Sequence, residues 1–229
     1  MSRITVACLD MAGTTVRDNG TVMAAFAGAL AGQSLPAAEY ARAMRYARAT
    51  MGQSKIEVFR RILGSEEDAQ RANASFERHY AAAVGAGEVA AVPGAAEVFR
   101  ACRSAGIKVC LATGFSPATR DAIVAALGWG PLVDLVLSPA DAGRGRPWPD
   151  LPLTALLRLG GGSVGELAVA GDTPSDVESG LRAGAGLVAG VLTGTSTRQE
   201  LQAVPGTAGL PGEPLVLDSI ADLLPHLGI

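Results

Sequence analysis

The stretch ITVACLDMAGTT, from Ile4 to Thr15, ends a largely apolar run in a single acid and continues into a Gly-Thr-Thr turn. Short apolar runs of this length are typical of strands buried on both faces, as in a parallel sheet. A carboxylate at the end of such a strand is costly unless a cation or a reaction partner meets it. Asp10 is therefore the first candidate for a functional residue.

Four more apolar runs of similar length occur along the chain, and helical patterns such as 95–105 and 117–127 lie between them. The runs are Ile107–Ala112, Val133–Leu137, Leu167–Ala170 and Leu187–Leu192. Strands that alternate with helices predict an α/β fold, in which a doubly wound, Rossmann-like parallel sheet carries helices on both faces.

Helical patterns fill the chain from about residue 20 to residue 85. This length is far more than one crossover between parallel strands needs, so we interpret the segment as an insertion after the first strand. The sequence predicts an α/β core domain of residues 1–17 and 88–229 and a small, all-helical cap domain of residues 18–87. Its hinges are expected near 17–20 and 85–93.

The composition excludes several classes of protein. The 229 residues are 48% hydrophobic and 18% charged, which favours a packed core over disorder. A net charge of -3 gives no reason to expect nucleic acid or a membrane surface as a partner. Three cysteines in apolar segments fit reduced thiols, and no uncharged apolar stretch reaches the roughly 18 residues of a membrane span. We expect a soluble, cytoplasmic protein.

Polar residues collect at the ends of four of the predicted strands. They are Asp10 at the first, Thr113 and Gly114 after the second, the arginines of GRGRPWPD (143–150) after the third, and Asp172 and Asp176 after the fourth. In a doubly wound parallel sheet these ends share the edge at which ligands bind. Helix capping can explain a polar residue at any one of these positions, but it does not explain why polar residues follow all four strands.

These residue types suit phosphoryl transfer. Asp10 and Asp172 can share one Mg²⁺, which prefers oxygen ligands, and Asp176 can orient the metal ligands. Thr113, the Gly114 amide and an arginine of the third loop can hold phosphoryl oxygens. A carboxylate in line with phosphorus is then a competent nucleophile, giving an aspartyl phosphate that water hydrolyses.

The segments DMAGTT, LATG, GRPWPD and GDTPSD, in this order, resemble the four motifs of the haloacid dehalogenase superfamily, and the resemblance covers nearly the whole chain. Most phosphatases of that superfamily carry a second acid two residues after the nucleophile, where this chain has Ala12. The D-x-A-G-T-T form is instead similar to phosphonoacetaldehyde hydrolase (phosphonatase). The resemblance implies that Asp10 is the nucleophile, that Ala12 binds metal through its main chain and that Gly13 contacts the phosphoryl group.

The chain has only two lysines, Lys55 and Lys108, and Lys108 precedes the second predicted strand. The cation of the third motif is therefore an arginine. Arg146 is the choice that the resemblance favours, and Arg144 is the alternative.

Lys55 begins a predicted helix of the cap, where the helix dipole and a nearby metal would lower the pKa of its amine. Such an amine can form an imine with an aldehyde and accept the electrons of a broken P–C bond. The segment from Met51 to Ile56 is similar to the phosphonatase cap segment that bears its imine-forming lysine, which implies that Met51 and Lys55 contact the substrate.

The match is incomplete, because phosphonatases carry a histidine where this chain has Val58, and the two histidines here, His79 and His226, fit ordinary surface positions. Three functions stay open. The first is a Mg²⁺-dependent phosphonatase-like hydrolase of phosphonoacetaldehyde or a related small phosphonate. The second is a phosphatase for a small phosphomonoester, and the third is a non-catalytic phosphate- or metabolite-binding protein. The resemblance also raises a homodimer formed through the cap.

Overall fold

The computed structural model describes residues 3–204 and 214–229. Its centre is a six-stranded parallel sheet in the order β3-β2-β1-β4-β5-β6. The strands are β1 (Val6–Asp10), β2 (Lys108–Ala112), β3 (Leu135–Leu137), β4 (Leu167–Gly171), β5 (Leu187–Val191) and β6 (Leu215–Leu217). The chain winds outward in both directions from β1, so the predicted doubly wound, Rossmann-like sheet is confirmed.

The sequences of the inner strands do not alternate between apolar and polar residues. Every residue of β1 and β4 is buried, because helices cover both faces of the sheet. The predicted strands differ from the observed ones mainly at their ends: the first begins at Val6 rather than Ile4, and the third at Leu135 rather than Val133. The edge strand β6 was not predicted.

Of the five α-helices between β1 and β2, the first four lie within the segment interpreted above as an insertion. They are α1 (Thr21–Ala31), α2 (Ala37–Ala49), α3 (Lys55–Leu63) and α4 (Glu66–Gly85). Three of them share an aromatic centre, in which Phe26, Phe59 and Phe76 have ring centroids 4.9–6.1 Å apart. Aromatic pairs at these separations add to the stability gained from burial alone.

The remaining α-helices follow α4 along the chain. They are α5 (Ala95–Ser104), α6 (Pro117–Ala126), α7 (Pro139–Ala142), α8 (Asp150–Arg158), α9 (Pro174–Arg182), α10 (Arg198–Gln202) and α11 (Leu224–Leu227). Capping residues set where several of them begin. At α9, Thr173 and Asp176 form a capping box and Pro174 occupies the first turn, so the helix starts two residues after Asp172.

None of the helices in the described residues is both long enough and apolar enough to cross a membrane. The three cysteines are free, buried thiols.

Candidate active site

The sheet brings Asp10, Thr113 and Asp172 together at the carboxyl ends of its central strands. Asp10 is the last residue of β1 and pairs in register with Ala112 of β2, directly before Thr113. On the other side β1 pairs with β4, and Asp172 directly follows that strand. All three side chains are at least 96% buried. Parallel register alone therefore places them at one edge.

Three carboxylates crowd this edge. Asp10, Asp172 and Asp176 each have an oxygen within 4.8 Å of the others. Burial and then the charge of Asp176 raise the pKa of Asp10 to about 7, although the charge of Arg146 opposes the shift. Burial, together with the charges of Asp10 and Asp176, raises the pKa of Asp172 well above its ordinary value. Negative charges this close are unfavourable unless positive charge joins them.

The donor set fits a hard divalent cation. Asp176 Oδ1 is buried and accepts no hydrogen bond within the described part of the chain, although the Nε of Arg146 lies 2.7 Å from it as an ion pair. A side chain added at Gly13 would overlap the Asp172 carboxylate, so the loop after β1 closes tightly around that group. Oxygen-only ligands of this kind suit Mg²⁺. The predicted ligand Ala12 is half-buried in the same loop.

Arg146 supplies the positive charge that the cluster contains. Its Nη1 donates a hydrogen bond to Asp10 Oδ1 at 2.8 Å, and its Nη2 donates to the carbonyl of Ala112 at 3.0 Å. Burial alone would lower the pKa of Arg146, but the charges of Asp176 and Asp10 raise it above its ordinary value. Arg144, the alternative, has a side chain 59% exposed and pairs with Asp150 at 2.9 Å. The structure thus brings Arg146 into the cluster and leaves Arg144 outside it.

This difference gives a matched pair of variants. We expect Arg146→Met to weaken the binding of inorganic phosphate by about 10- to 100-fold, because a charge-assisted hydrogen bond is worth about 1.5–3 kcal/mol. Arg144→Met, which removes the same charge from the same loop, should change the affinity by less than twofold. Isothermal titration calorimetry in the presence of Mg²⁺ measures both, and equal losses in the two variants would contradict the assignment.

The loop between α2 and α3 lies directly on the loop after β2. The carbonyl of Gly114 accepts a hydrogen bond from the main-chain N–H of Lys55 at 3.2 Å, and a Cβ at Gly114 would overlap the carbonyl of Gln53. Thr113 is buried, and its Oγ1 accepts from the Phe115 N–H at 3.2 Å. Because a Cβ at Gly114 would overlap the carbonyl of Gln53, only glycine at this position of LATG lets the two backbones approach so closely.

The same loop reaches two more parts of the site, which the sequence did not reveal. Gly52 has φ +82°, its carbonyl lies 3.5 Å from Arg146 Nη1, and a Cβ there would lie 2.5 Å from Thr173 Oγ1. Gln53 donates a hydrogen bond to Ser175 Oγ at 3.5 Å. The one available signal was a glycine that precedes the predicted start of α3. Met51, a predicted substrate contact, is buried in the hydrophobic core.

Lys55 is the first residue of α3, as predicted, and only 6% of it is exposed. Its Nζ donates a hydrogen bond to the Gln53 carbonyl at 3.2 Å and lies 5.2 Å from the ring centroid of Phe115 and 5.9 Å from that of Phe26. Burial lowers the pKa of Lys55 to about 8, although the charge of Asp10 opposes the shift. The amine is thus much easier to deprotonate than a surface lysine, whose pKa is near 10.4.

Other residues named from the sequence lie outside this arrangement. Val58 is buried one turn after Lys55, whereas His79 and His226 are exposed. Trp148 is 45% exposed and stacks against the guanidinium of Arg144, 4.3 Å from its ring centroid. A further contributor that the sequence did not reveal is Thr14, whose Oγ1 donates a hydrogen bond to Asp172 Oδ1 at 3.1 Å.

Known proteins that are similar to this chain include a probable phosphatase and phosphonoacetaldehyde hydrolases. The chain is 28% identical over 198 residues to "Probable phosphatase IndB" of Dickeya dadantii, which covers 85% of this chain and 84% of that protein. It is 32% identical over 108 residues to phosphonoacetaldehyde hydrolase of Pseudomonas fluorescens, covering 47% of this chain but only 39% of that enzyme. The fold matches the crystal structure of a phosphonoacetaldehyde hydrolase-like protein from Oleispira antarctica with a TM-score of 0.77 and 27% identity, over 99% and 92% of the two chains.

A family model covers most of the chain. The model of haloacid dehalogenase-like hydrolases matches residues 4–184, which include Asp10, Lys55, Arg146 and the two acids after β4. The protein belongs to the haloacid dehalogenase-like hydrolases.

Proposed function

We propose that this protein is a Mg²⁺-dependent hydrolase that uses Asp10 as its nucleophile and cleaves the P–C bond of phosphonoacetaldehyde or a related small phosphonate. The observation that carries the proposal is the buried amine of Lys55, with its pKa lowered to about 8, at the start of α3, where the main chain of Lys55 contacts the predicted phosphate-binding residue Gly114. A lysine that only neutralised a substrate's charge would gain nothing from a lowered pKa.

The phosphoryl group would sit between the carboxylates and the loop after β2. Arg146, the hydroxyl of Thr113 and the main chain of Gly114 would bind its oxygens. The hydrogen bond from Arg146 holds Asp10 Oδ1 in place and favours the ionised, nucleophilic form of the carboxylate. Mg²⁺, held by Asp10, Asp172 and the main chain of Ala12 with Asp176 orienting the ligands, would supply positive charge toward the carboxylates and the phosphoryl oxygens.

Cleavage of a P–C bond needs a group that accepts the bonding electrons. The neutral amine of Lys55 would attack the aldehyde carbon, forming an imine and releasing water, and the imine nitrogen would then take up one proton from solvent. When Asp10 forms its bond to phosphorus, the P–C electrons move into the protonated imine and leave an enamine. Protonation on carbon and hydrolysis then free acetaldehyde and Lys55, and water releases phosphate from Asp10. No acid is needed at position 12, because no alkoxide leaves.

We also propose that residues 18–87 act as a cap that keeps water away from Asp10 until the leaving group has departed. The close contacts of Gly52 and Gln53 with three loops of the sheet support this role. Exclusion of water protects a reactive acyl phosphate and strengthens the electrostatic interactions around it.

A phosphatase acting on a small phosphomonoester is the second candidate. The match to a probable phosphatase over 84% of that protein's length favours it. Ala12 argues against it, because a leaving alkoxide would need its proton from water or from the substrate.

Phosphate release from a panel of substrates distinguishes the candidate functions. With Mg²⁺ present, we expect phosphonoacetaldehyde to be hydrolysed with a kcat/KM at least about 100-fold above that of any small phosphomonoester, since only the aldehyde engages Lys55. A preference for monoesters would assign the protein as a phosphatase. No release from any member of the panel would favour a binding protein.

Metal binding can be measured without turnover. We expect Mg²⁺ to raise the melting temperature of the protein in differential scanning fluorimetry, because a ligand that binds the folded state alone stabilises it. Asp172→Asn should remove most of this increase, whereas Asp222→Asn, at an exposed position far along the chain, should keep it. An undiminished increase in Asp172→Asn would place the metal elsewhere.

A further inference from the structure

A small cavity lies beside the start of α3. Its volume is about 130 Å³, and Lys55 lines it together with Gly114, the predicted phosphate-binding residue after β2. A larger cavity of about 530 Å³, which Arg146 lines, adjoins it, because four residues line both: Ser54, Ile56, Pro139 and Ala140. A ligand whose phosphoryl group is bound by Arg146 and Gly114 can therefore extend into the small cavity, next to Lys55.

Helix α4 contributes the polar wall of this cavity. Asn73 and Glu77 both line it, and Asn73 Nδ2 donates a hydrogen bond to Glu77 Oε1 at 2.9 Å. Residues four apart lie on the same face of a helix, so the two side chains form one continuous surface. Both are half-buried. The carboxylate of Glu77 is thus held in place at the cavity by its neighbour on the same helix.

This carboxylate can accept further hydrogen bonds. In the described ranges Asn73 supplies the one hydrogen bond to it, and no arginine or lysine forms an ion pair with it. An ionised carboxylate has about four lone-pair sites and donates nothing. A methyl group placed against it would displace water without replacing the lost hydrogen bond, which costs free energy. An ammonium group would be repelled by Lys55 on the same cavity. A hydroxyl group, a neutral donor, therefore fits the cavity best.

We propose that the small cavity holds the leaving group of the substrate and that Glu77 accepts a hydrogen bond from a hydroxyl group on it. In naming a substrate, the inference rests on the proposed function, because Lys55 marks the place of the carbonyl carbon from which the leaving group extends. The substrate class is a phosphonate whose carbonyl carbon carries a hydroxymethyl group in place of the aldehyde hydrogen. Glu77 determines specificity and takes no part in the cleavage of the P–C bond.

Two phosphonates that lack a carbonyl group test the binding without turnover. 3-Hydroxypropylphosphonate and butylphosphonate have the same number of heavy atoms and differ only in a terminal hydroxyl or methyl group. In isothermal titration calorimetry with Mg²⁺, we expect the hydroxyl compound to bind about 10- to 100-fold more tightly, the range for one hydrogen bond to a charged group. Glu77→Met, which keeps the length of the side chain but removes the acceptor, should reduce this preference to less than twofold.

The matched control is Glu67→Met, which removes the same charge from an 84% exposed side chain of the same helix. It should keep the preference. Turnover gives a second measurement, with 3-hydroxy-2-oxopropylphosphonate and phosphonoacetaldehyde as substrates. Glu77→Met should lower the ratio of their kcat/KM values by about 10- to 100-fold, for the same reason. The affinity for inorganic phosphate and the melting temperature should stay unchanged.

Each result has a distinct meaning. A hydroxyl preference that is absent from the unsubstituted protein, or that Glu77→Met retains, would overturn the role of Glu77 and leave the proposed function intact. A loss of phosphate affinity or melting temperature in Glu77→Met would give Glu77 a structural role and overturn the inference as well. Phosphate release from monoesters but from neither phosphonate substrate would overturn the proposed function, whereas the calorimetry would still decide whether Glu77 binds a hydroxyl group.

Discussion

Asp10→Asn should lower phosphate release by at least about 10³-fold and at the same time raise the melting temperature of the metal-free protein near pH 8. The loss follows because an amide cannot attack phosphorus, and removal of a nucleophile costs this much or more in comparable enzymes. The gain follows because Asp10 shares its buried edge with two other carboxylates, Asp172 and Asp176. Opposite effects on activity and stability are typical of residues that are strained for function.

The direction of the stability change follows from proton binding. The pKa of Asp10 is raised from 3.8 to about 7, mainly by burial and then by Asp176. Between these pH values the folded chain holds a proton that the unfolded chain has released, so stability falls as the pH rises through this window. Above pH 7 the carboxylate of Asp10 is ionised in the folded chain, and its buried charge lowers the free energy of unfolding by the full amount. Asn is neutral at every pH and avoids that cost. The difference in melting temperature between Asp10→Asn and the unsubstituted protein should therefore shrink toward pH 4.

The matched control is Asp218→Asn, because that side chain is 84% exposed and forms a surface ion pair with Arg198 at 3.0 Å. It should change neither phosphate release nor the melting temperature appreciably. Scanning calorimetry in EDTA at pH 4, 6 and 8, together with a phosphate assay in Mg²⁺, measures both effects. Retained activity in Asp10→Asn would remove Asp10 as nucleophile, and a lower melting temperature at pH 8 would contradict the electrostatic account.

The fold was predictable because its signals are local. A strand buried on both faces is almost entirely apolar, and β4 and the part of β1 before Asp10 show this in their sequences. The edge strand β6 gives no such signal, since it has three residues that are only half-buried. Likewise, the residues at the ends of β1, β2 and β4 could be grouped in advance, because parallel strands carry their carboxyl ends to one edge.

The contacts across the site were not predictable, because they depend on packing between distant segments. Gly52 contacts Thr173 and Arg146 only when the α2–α3 loop packs against the edge of the sheet. Sequence patterns therefore indicate which residues share an edge, but not which helix lies over it.

Replacement of Lys55 by arginine should abolish P–C cleavage, with a loss of at least about 10³-fold, because a guanidinium stays protonated and cannot form an imine. Hydrolysis of a phosphomonoester, if the protein performs any, should change far less. The pH profile of the unsubstituted protein should agree: with the pKa of Lys55 lowered to about 8, kcat/KM for phosphonoacetaldehyde should rise through pH 8 as the amine becomes neutral.

The chain provides its own control for this experiment, because its two lysines are Lys55 and Lys108. Lys108 has a side chain that is 55% exposed and pairs with Asp134 at 3.5 Å, so Lys108→Arg should leave activity intact. In that variant Lys55 is the single lysine, and a borohydride-reduced adduct on a lysine can lie nowhere else. Peptide mapping by mass spectrometry should find it there and find none in Lys55→Arg. Undiminished phosphate release from phosphonoacetaldehyde by Lys55→Arg would instead mean that the P–C bond breaks without an imine, and the buried amine would then serve only to contact the substrate.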